Sequence, residues 1–71
     1  MNAEAKISPL AHVDPSARIG RGVEIAPFVS IGPEVEIGDG TRIGPHSSIH
    51  GPTRIGRDNI IHGHAAIGGD P

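Results

Sequence analysis

The sequence predicts an all-β fold, a parallel β-helix wound as a triangular coil with eighteen residues per turn. Three observations predict it. A β-branched aliphatic recurs at every sixth position. An in–out–in alternation precedes each one. Charged residues and prolines line up at spacing eighteen, three times the basic repeat.

The aliphatic frame opens at Ile7 and continues through Val13, Ile19, Ile25, Ile31, Ile37, Ile43, Ile49, Ile55 and Ile61 to Ile67. Ile, Val and Leu together fill only 16 of the 71 positions. Eleven matches in a row by chance then have a probability on the order of 10⁻⁷, so the repeat is real. A helix repeats near 3.6 residues and a strand at two, so neither alone sustains a beat of six. Two residues before each aliphatic stands a small or modest side chain: Ala11, Ala17, Val23, Val29, Val35, Thr41, Ser47, Thr53, Asn59 and Ala65. Between the two lies an outward residue, usually polar, such as His12, Arg18, Glu24, Ser30, Glu36 or Arg42. That alternation is a short strand with one buried face. The remaining three residues of each hexad carry most of the Gly, Pro and Asp and read as a turn.

Strands this short cannot stand alone, because their backbone groups need partners on both sides. Three hexads per coil supply them, each strand stacking on the one eighteen residues later at about 4.8 Å. The frame never slips between residues 7 and 71, so about three and a half coils form one domain, 7–71, after a polar leader, Met1–Lys6. On this spacing Arg18, Glu36 and Arg54 form an outward ladder of alternating charge, Arg21, Asp39 and Arg57 form another, and Glu24 sits under Arg42. Pro9, Pro27 and Pro45 share one column and Pro15 and Pro33 another, suiting corners that need no ladder donor. Asn59 is the one polar amide in an inward slot, which demands backbone partners for it.

Composition removes several function classes. A net charge of −2, no basic run and a single aromatic, Phe28, leave nothing to grip nucleic acid. The absence of cysteine rules out disulfides and thiolate chemistry and fits a reducing, cytoplasmic setting. No stretch has the length of a membrane span, and the leader lacks the apolar core of a signal peptide. An ice-binding β-helix would need an outward threonine array, but Thr41 and Thr53 both point inward.

The hexad of aliphatic, glycine, two turn residues, a small residue and a variable one resembles the hexapeptide-repeat acyltransferases. That resemblance implies a left-handed helix, whereas crossovers of parallel strands are otherwise right-handed. Within the superfamily, "PFVSIGPEVEIGDGT", "GPTRIGRDN" and "AAIGGDP" resemble the amino-terminal coils of the UDP-N-acetylglucosamine O-acyltransferases of lipid A biosynthesis. The resemblance implies a homotrimer, with acyl carrier protein and UDP-N-acetylglucosamine as the family's partners and no cofactor. It implies a general-base histidine in a later coil, acting on the sugar 3-hydroxyl as it attacks the acyl thioester. No position of this sequence matches that residue or the family's sugar-nucleotide contacts. The expectation is a truncated stem without catalytic or substrate-binding residues, structural and self-associating. The alternative is a fragment of a working acyltransferase.

Five histidines invite a metal reading. The γ-class carbonic anhydrases, related β-helices, bind zinc through three histidines across a subunit boundary. Zinc needs three or four converging ligands, and this chain lacks that family's histidine spacing, so no metal site is expected. His46 and His64 instead join Leu10 and Phe28 in one column at spacing eighteen. Bulky side chains at a prism corner mark a packing surface, so Leu10, Phe28, His46 and His64 form the candidate oligomer-interface column. A chain this small, with no disulfide, needs partners, and the bare edge of a last coil adds a tendency to stack end to end.

Overall fold

The structure, a computed structural model, describes residues 5–68. Met1–Glu4 of the polar leader and the final three residues lie outside the described residues. Eleven strands of two or three residues follow one another: β1 (Lys6–Ile7), β2 (His12–Val13), β3 (Arg18–Ile19), β4 (Glu24–Ile25), β5 (Ser30–Ile31), β6 (Val35–Ile37), β7 (Arg42–Ile43), β8 (Ser48–Ile49), β9 (Thr53–Ile55), β10 (Ile60–Ile61) and β11 (Ala66–Ile67). They assemble into three parallel sheets, β1-β4-β7-β10, β2-β5-β8-β11 and β3-β6-β9. Below these are the first, second and third faces of the coil.

Every pairing follows the eighteen-residue rule. Lys6 lies opposite Glu24, His12 opposite Ser30, and Arg18, Glu36 and Arg54 stand in file on the third face. Backbone bonds carry the ladder through the bends as well: the Gly20 N–H donates to the Ile37 carbonyl at 2.9 Å, and Gly44 to Ile61 at 2.7 Å.

The bends have a common backbone. The third residue after the aliphatic takes a left-handed φ at Gly22 (68°), Phe28 (64°), Glu34 (59°), Gly40 (77°), His46 (62°), Asp58 (55°) and His64 (64°). Pro27, Pro33 and Pro45 each precede such a residue, and proline followed by positive φ is the signature of a type II turn. The glycine straight after the aliphatic answers a different need, close approach of neighbouring coils. A Cβ on Gly38 would lie 2.6 Å from the Gly56 carbonyl carbon, and one on Gly44 2.6 Å from the Gly63 nitrogen.

The core is a single column up the axis. Val23, Ile25, Val29, Ile31, Val35, Ile37, Ile43 and Ile49 are buried, together with Thr41 and Ser47. The frame aliphatics are therefore not equally covered. Ile25 to Ile49 are buried, Val13, Ile19, Ile55, Ile61 and Ile67 are half-buried, and Ile7 on the first rung is 42% exposed. A rung with a neighbour on one side only shields half of its own side chain. Both buried hydroxyls are satisfied: Thr41 Oγ1 donates to the Gly56 carbonyl at 2.7 Å and Ser47 Oγ to the His62 carbonyl at 3.3 Å.

Two expectations need correction. Asn59 occupies its inward register above Thr41, yet it is exposed, so its amide is not a buried group in need of a partner. Its backbone N–H donates to Thr41 Oγ1 at 3.3 Å and its carbonyl accepts from Arg42 at 2.8 Å. The Arg21–Asp39–Arg57 column is also not a ladder of side-chain charges. Asp39 Oδ1 accepts the Arg21 backbone N–H at 2.8 Å, and the Arg57 guanidinium turns to its neighbour Asp58 at 3.8 Å. The strand ladders do pair, Arg54 with Glu36 at 3.5 Å and Arg42 with Glu24 at 3.8 Å, although both are exposed and contribute little each.

Two stability measurements check this core. Ile31→Ala should lower unfolding free energy by about 2–5 kcal/mol, and Ile7→Ala by less than about 1 kcal/mol, in urea titrations. Thr41→Val, which keeps the shape and removes the hydroxyl, should cost about 1–3 kcal/mol by leaving the Gly56 carbonyl without its donor.

Candidate functional site

Each corner of the coil presents one column of bend positions, and the three columns differ in chemistry and in how many of them are left-handed. The corner between the third and first faces carries Gly22, Gly40 and Asp58, which tolerate positive φ well. The corner between the second and third faces carries Ser16, Glu34 and Pro52. The corner between the first and second faces carries Leu10, Phe28, His46 and His64, the column singled out from the sequence.

That column is a continuous stack. The Phe28 and His46 rings lie 5.1 Å apart at 15°, and the His46 and His64 rings 5.0 Å apart at 8°. Ring spacing thus follows coil spacing, and the rungs below fix the rings. Phe28 donates its N–H to the Leu10 carbonyl at 3.2 Å, His46 to Pro27 at 3.4 Å and His64 to Pro45 at 2.9 Å. The side chains face solvent, with Leu10 61% and Phe28 57% exposed. A left-handed φ is an outlier for a bulky ring such as Phe28, whereas histidine is among the residues enriched there, so Phe28 alone of the three rings is held against its local backbone preference. Spacing alone placed these residues in one column. It did not reveal the left-handed backbone, although Pro27 and Pro45 directly before Phe28 and His46 carried that signal.

The other histidines stand apart from the stack. His12 faces outward on β2, and His50 and His62 are exposed at the residue after a frame aliphatic, where the bend begins. Among the described residues no group of three or more His, Asp or Glu side chains converges as a metal site would require.

The two other notable surfaces are shallow. An open hollow of about 630 Å³ runs along the first face, floored by Ala26 and Gly44 and walled by Glu24, Arg42 and Ile60. A second, about 490 Å³, follows the third face over Gly20, Gly38 and Gly56. Their charged walls are the paired Glu24–Arg42 and Glu36–Arg54 ladders.

One carboxylate is tuned by its corner. Asp14 is held below its ordinary value of 3.8, first by the Ser16 backbone N–H at 2.9 Å and then by the Ser16 hydroxyl at 2.8 Å, with His12 adding a small attraction against a slight desolvation. Ser16 Oγ in turn accepts the Glu34 N–H at 3.1 Å, which links two coils through one serine.

The residues from Glu34 to Gly69 match the family model described as bacterial transferase hexapeptide (six repeats), a little over half of the 71 residues. The chain belongs to that family. A comparison with curated proteins returned no match. Family membership agrees with the architecture, an all-β coil of parallel sheets, and gives it the left-handed sense of the hexapeptide helix. No membrane-spanning helix exists among the described residues.

The Asp14 contacts set a sign for acid stability. A carboxylate with a lowered folded value stabilises the fold above its unfolded value and loses that contribution as pH falls through the folded one. Asp14→Ala should therefore melt below the parent at pH 7, and the gap should close below pH 3.8, as read by thermal circular dichroism.

Proposed function

We propose that these coils are the β-helical stem of an acyltransferase similar to the UDP-N-acetylglucosamine O-acyltransferases of lipid A biosynthesis. In this reading the 71-residue chain is structural and self-associating, and it carries no catalysis of its own. The observation that supports it is the distribution of side chains over the coils. Inward positions are taken by aliphatics and satisfied hydroxyls. Outward positions include paired charges on the first and third faces and stacked rings at one corner. The first of the phrases that carry the resemblance, Pro27–Thr41, supplies Val29, Ile31, Val35, Ile37 and Thr41 of that core.

The reading brings with it a homotrimer in the cytoplasm, with acyl carrier protein and the sugar nucleotide as partners of the whole enzyme. The chemistry would be general-base acyl transfer: a histidine removes the proton of the sugar 3-hydroxyl, and that oxygen displaces the carrier thiol from the acyl group. The family match favours a second reading, in which the chain is part of an enzyme that performs this transfer with residues from further coils.

The test is direct. The 71-residue chain, incubated with acyl carrier protein thioester and UDP-N-acetylglucosamine, should release no carrier thiol above the protein-free rate. Release that depends on the sugar nucleotide would overturn the stem reading and favour the catalytic one.

A further inference from the structure

We propose that Asp39–Gly40 is a latent site of covalent modification, where isoaspartate forms when two coils part, and that the Arg21 backbone holds the site closed in the folded chain.

The sequence holds one pair in which glycine follows an Asp or Asn, and it is this one. Glycine has no side chain to shield its amide nitrogen, which can attack the side-chain carbonyl carbon of the residue before it. Here the Gly40 nitrogen bonds to Asp39 Cγ, a carboxyl oxygen leaves as water with the amide proton, and a five-membered imide closes. Water then opens the ring. Attack at Cγ restores aspartate, whereas attack at the main-chain carbonyl leaves the chain running through Cβ and Cγ. The water lost in the first step is regained in the second, so no co-reactant is needed.

The fold ties both reacting groups to one residue of the neighbouring coil. Asp39 Oδ1 accepts the Arg21 N–H at 2.8 Å, and the Gly40 N–H donates to the Arg21 carbonyl at 2.8 Å. On the other side the Asp39 carbonyl accepts the Asp58 N–H at 2.8 Å. Ring closure has to break the two bonds to Arg21. It also has to turn the peptide between the pair. Gly40 has a φ of 77° and Asp39 does not share the left-handed region, which makes them the middle of a type II turn. The first central residue of such a turn has a ψ of about +120°, and that points the Gly40 nitrogen away from Asp39 Cβ.

Both members of the labile pair answer needs of the coil. Gly40 supplies the left-handed φ, and Asp39 bonds an N–H that the proline bends lack. Opening is local, because Arg21 follows β3, which stands at the end of its sheet and pairs with β6 alone. Ile19 on that strand is only half-buried. Parting of β3 from β6 therefore frees Asp39 and Gly40 together, ahead of the buried rungs. Isoaspartate adds one carbon to the backbone, about 1.5 Å, and a six-residue frame has no slack for it. The modification thus makes an opening of the coil permanent.

The 71-residue chain, kept at pH 7 with and without urea, tests the site. Isoaspartate is read by methyl transfer from S-adenosylmethionine with a protein isoaspartate methyltransferase and placed by peptide mass spectrometry. At position 39 it should accumulate at least about tenfold more slowly in the folded chain than in urea. Arg21→Pro reproduces the Gly32–Pro33 and Gly44–Pro45 bends and removes only the backbone donor. It should accelerate the reaction about fivefold or more with the circular dichroism unchanged, the effect of losing one hydrogen bond. Arg21→Ala keeps the N–H and should react at the parent rate. Exchange of the Gly40 amide in the parent needs no variant and should be slowed at least about tenfold. Absence of isoaspartate at position 39 in urea would overturn the site. Equal rates with and without urea, or an unprotected Gly40 amide, would overturn its closure by the fold. A folded Arg21→Pro at the parent rate, or Arg21→Ala as fast as Arg21→Pro, would overturn the part played by the Arg21 backbone.

Discussion

The structure depends on one constraint, that each residue lies against the backbone of the residue eighteen positions away in the chain. Parallel stacking at the inter-strand distance lets a two-residue strand survive, because each of its backbone groups finds a partner one coil above or below. The same constraint fixes side chains. Position in the hexad decides whether a residue is core, face or corner, and position in the coil decides which column it joins. Ile31 is buried because Val13 and Ile49 lie on either side of it, and Ile7 is not because its rung has one neighbour. Burial in this fold is a property of rung number as much as of residue type.

The constraint also explains why hydroxyls replace valines toward the later coils. Val23 and Val29 hold the small inward slots of one coil, and Thr41 and Ser47 hold the same slots in the next. A hydroxyl at that depth is tolerable only with a fixed acceptor, and the carbonyls of Gly56 and His62 stand within reach. Where an inward slot holds an amide, at Asn59, the residue is on an open rung and solvent reaches it. Polar inward residues are thus placed where the stack can satisfy them or where water can.

Much of this was legible in the sequence because a period of six leaves few alternatives. The aliphatic frame, the three-sided coil, the files Arg18–Glu36–Arg54 and Leu10–Phe28–His46–His64, and the corner prolines all follow from counting. What counting misses is the local competition among donors and acceptors. Asp39 could have paired with two guanidinium groups on either side. It instead accepts the Arg21 amide, because a non-proline bend residue has an N–H that must be bonded. Pro9, Pro15, Pro27, Pro33 and Pro45 remove that donor at the equivalent position of the other bends, and at the Pro15 bend the nearby carboxylate, Asp14, accepts the Ser16 N–H instead. The left-handed bends were missed because Phe28 and Glu34 are not residues that ordinarily adopt positive φ, and the prolines that precede them also precede Leu10 and Ser16, which do not adopt it.

The corners are where such a chain can vary without losing its fold. Inward slots answer to packing, and outward strand positions on two faces answer to like and unlike charge along the ladder. The bend position varies freely in side chain: glycine or aspartate at one corner and rings at another share a left-handed turn, while Leu10, Ser16 and Pro52 fill the same position without it. Glycine would have been the residue of least strain wherever the φ is left-handed. Rings at only one corner, along a face with no fixed charge, concentrate exposed apolar surface and titratable nitrogen in one strip. A uniform repeat thereby acquires one distinct side. The outward rungs of the first and third faces are mostly charged instead, with Glu24–Arg42 and Glu36–Arg54 paired along them.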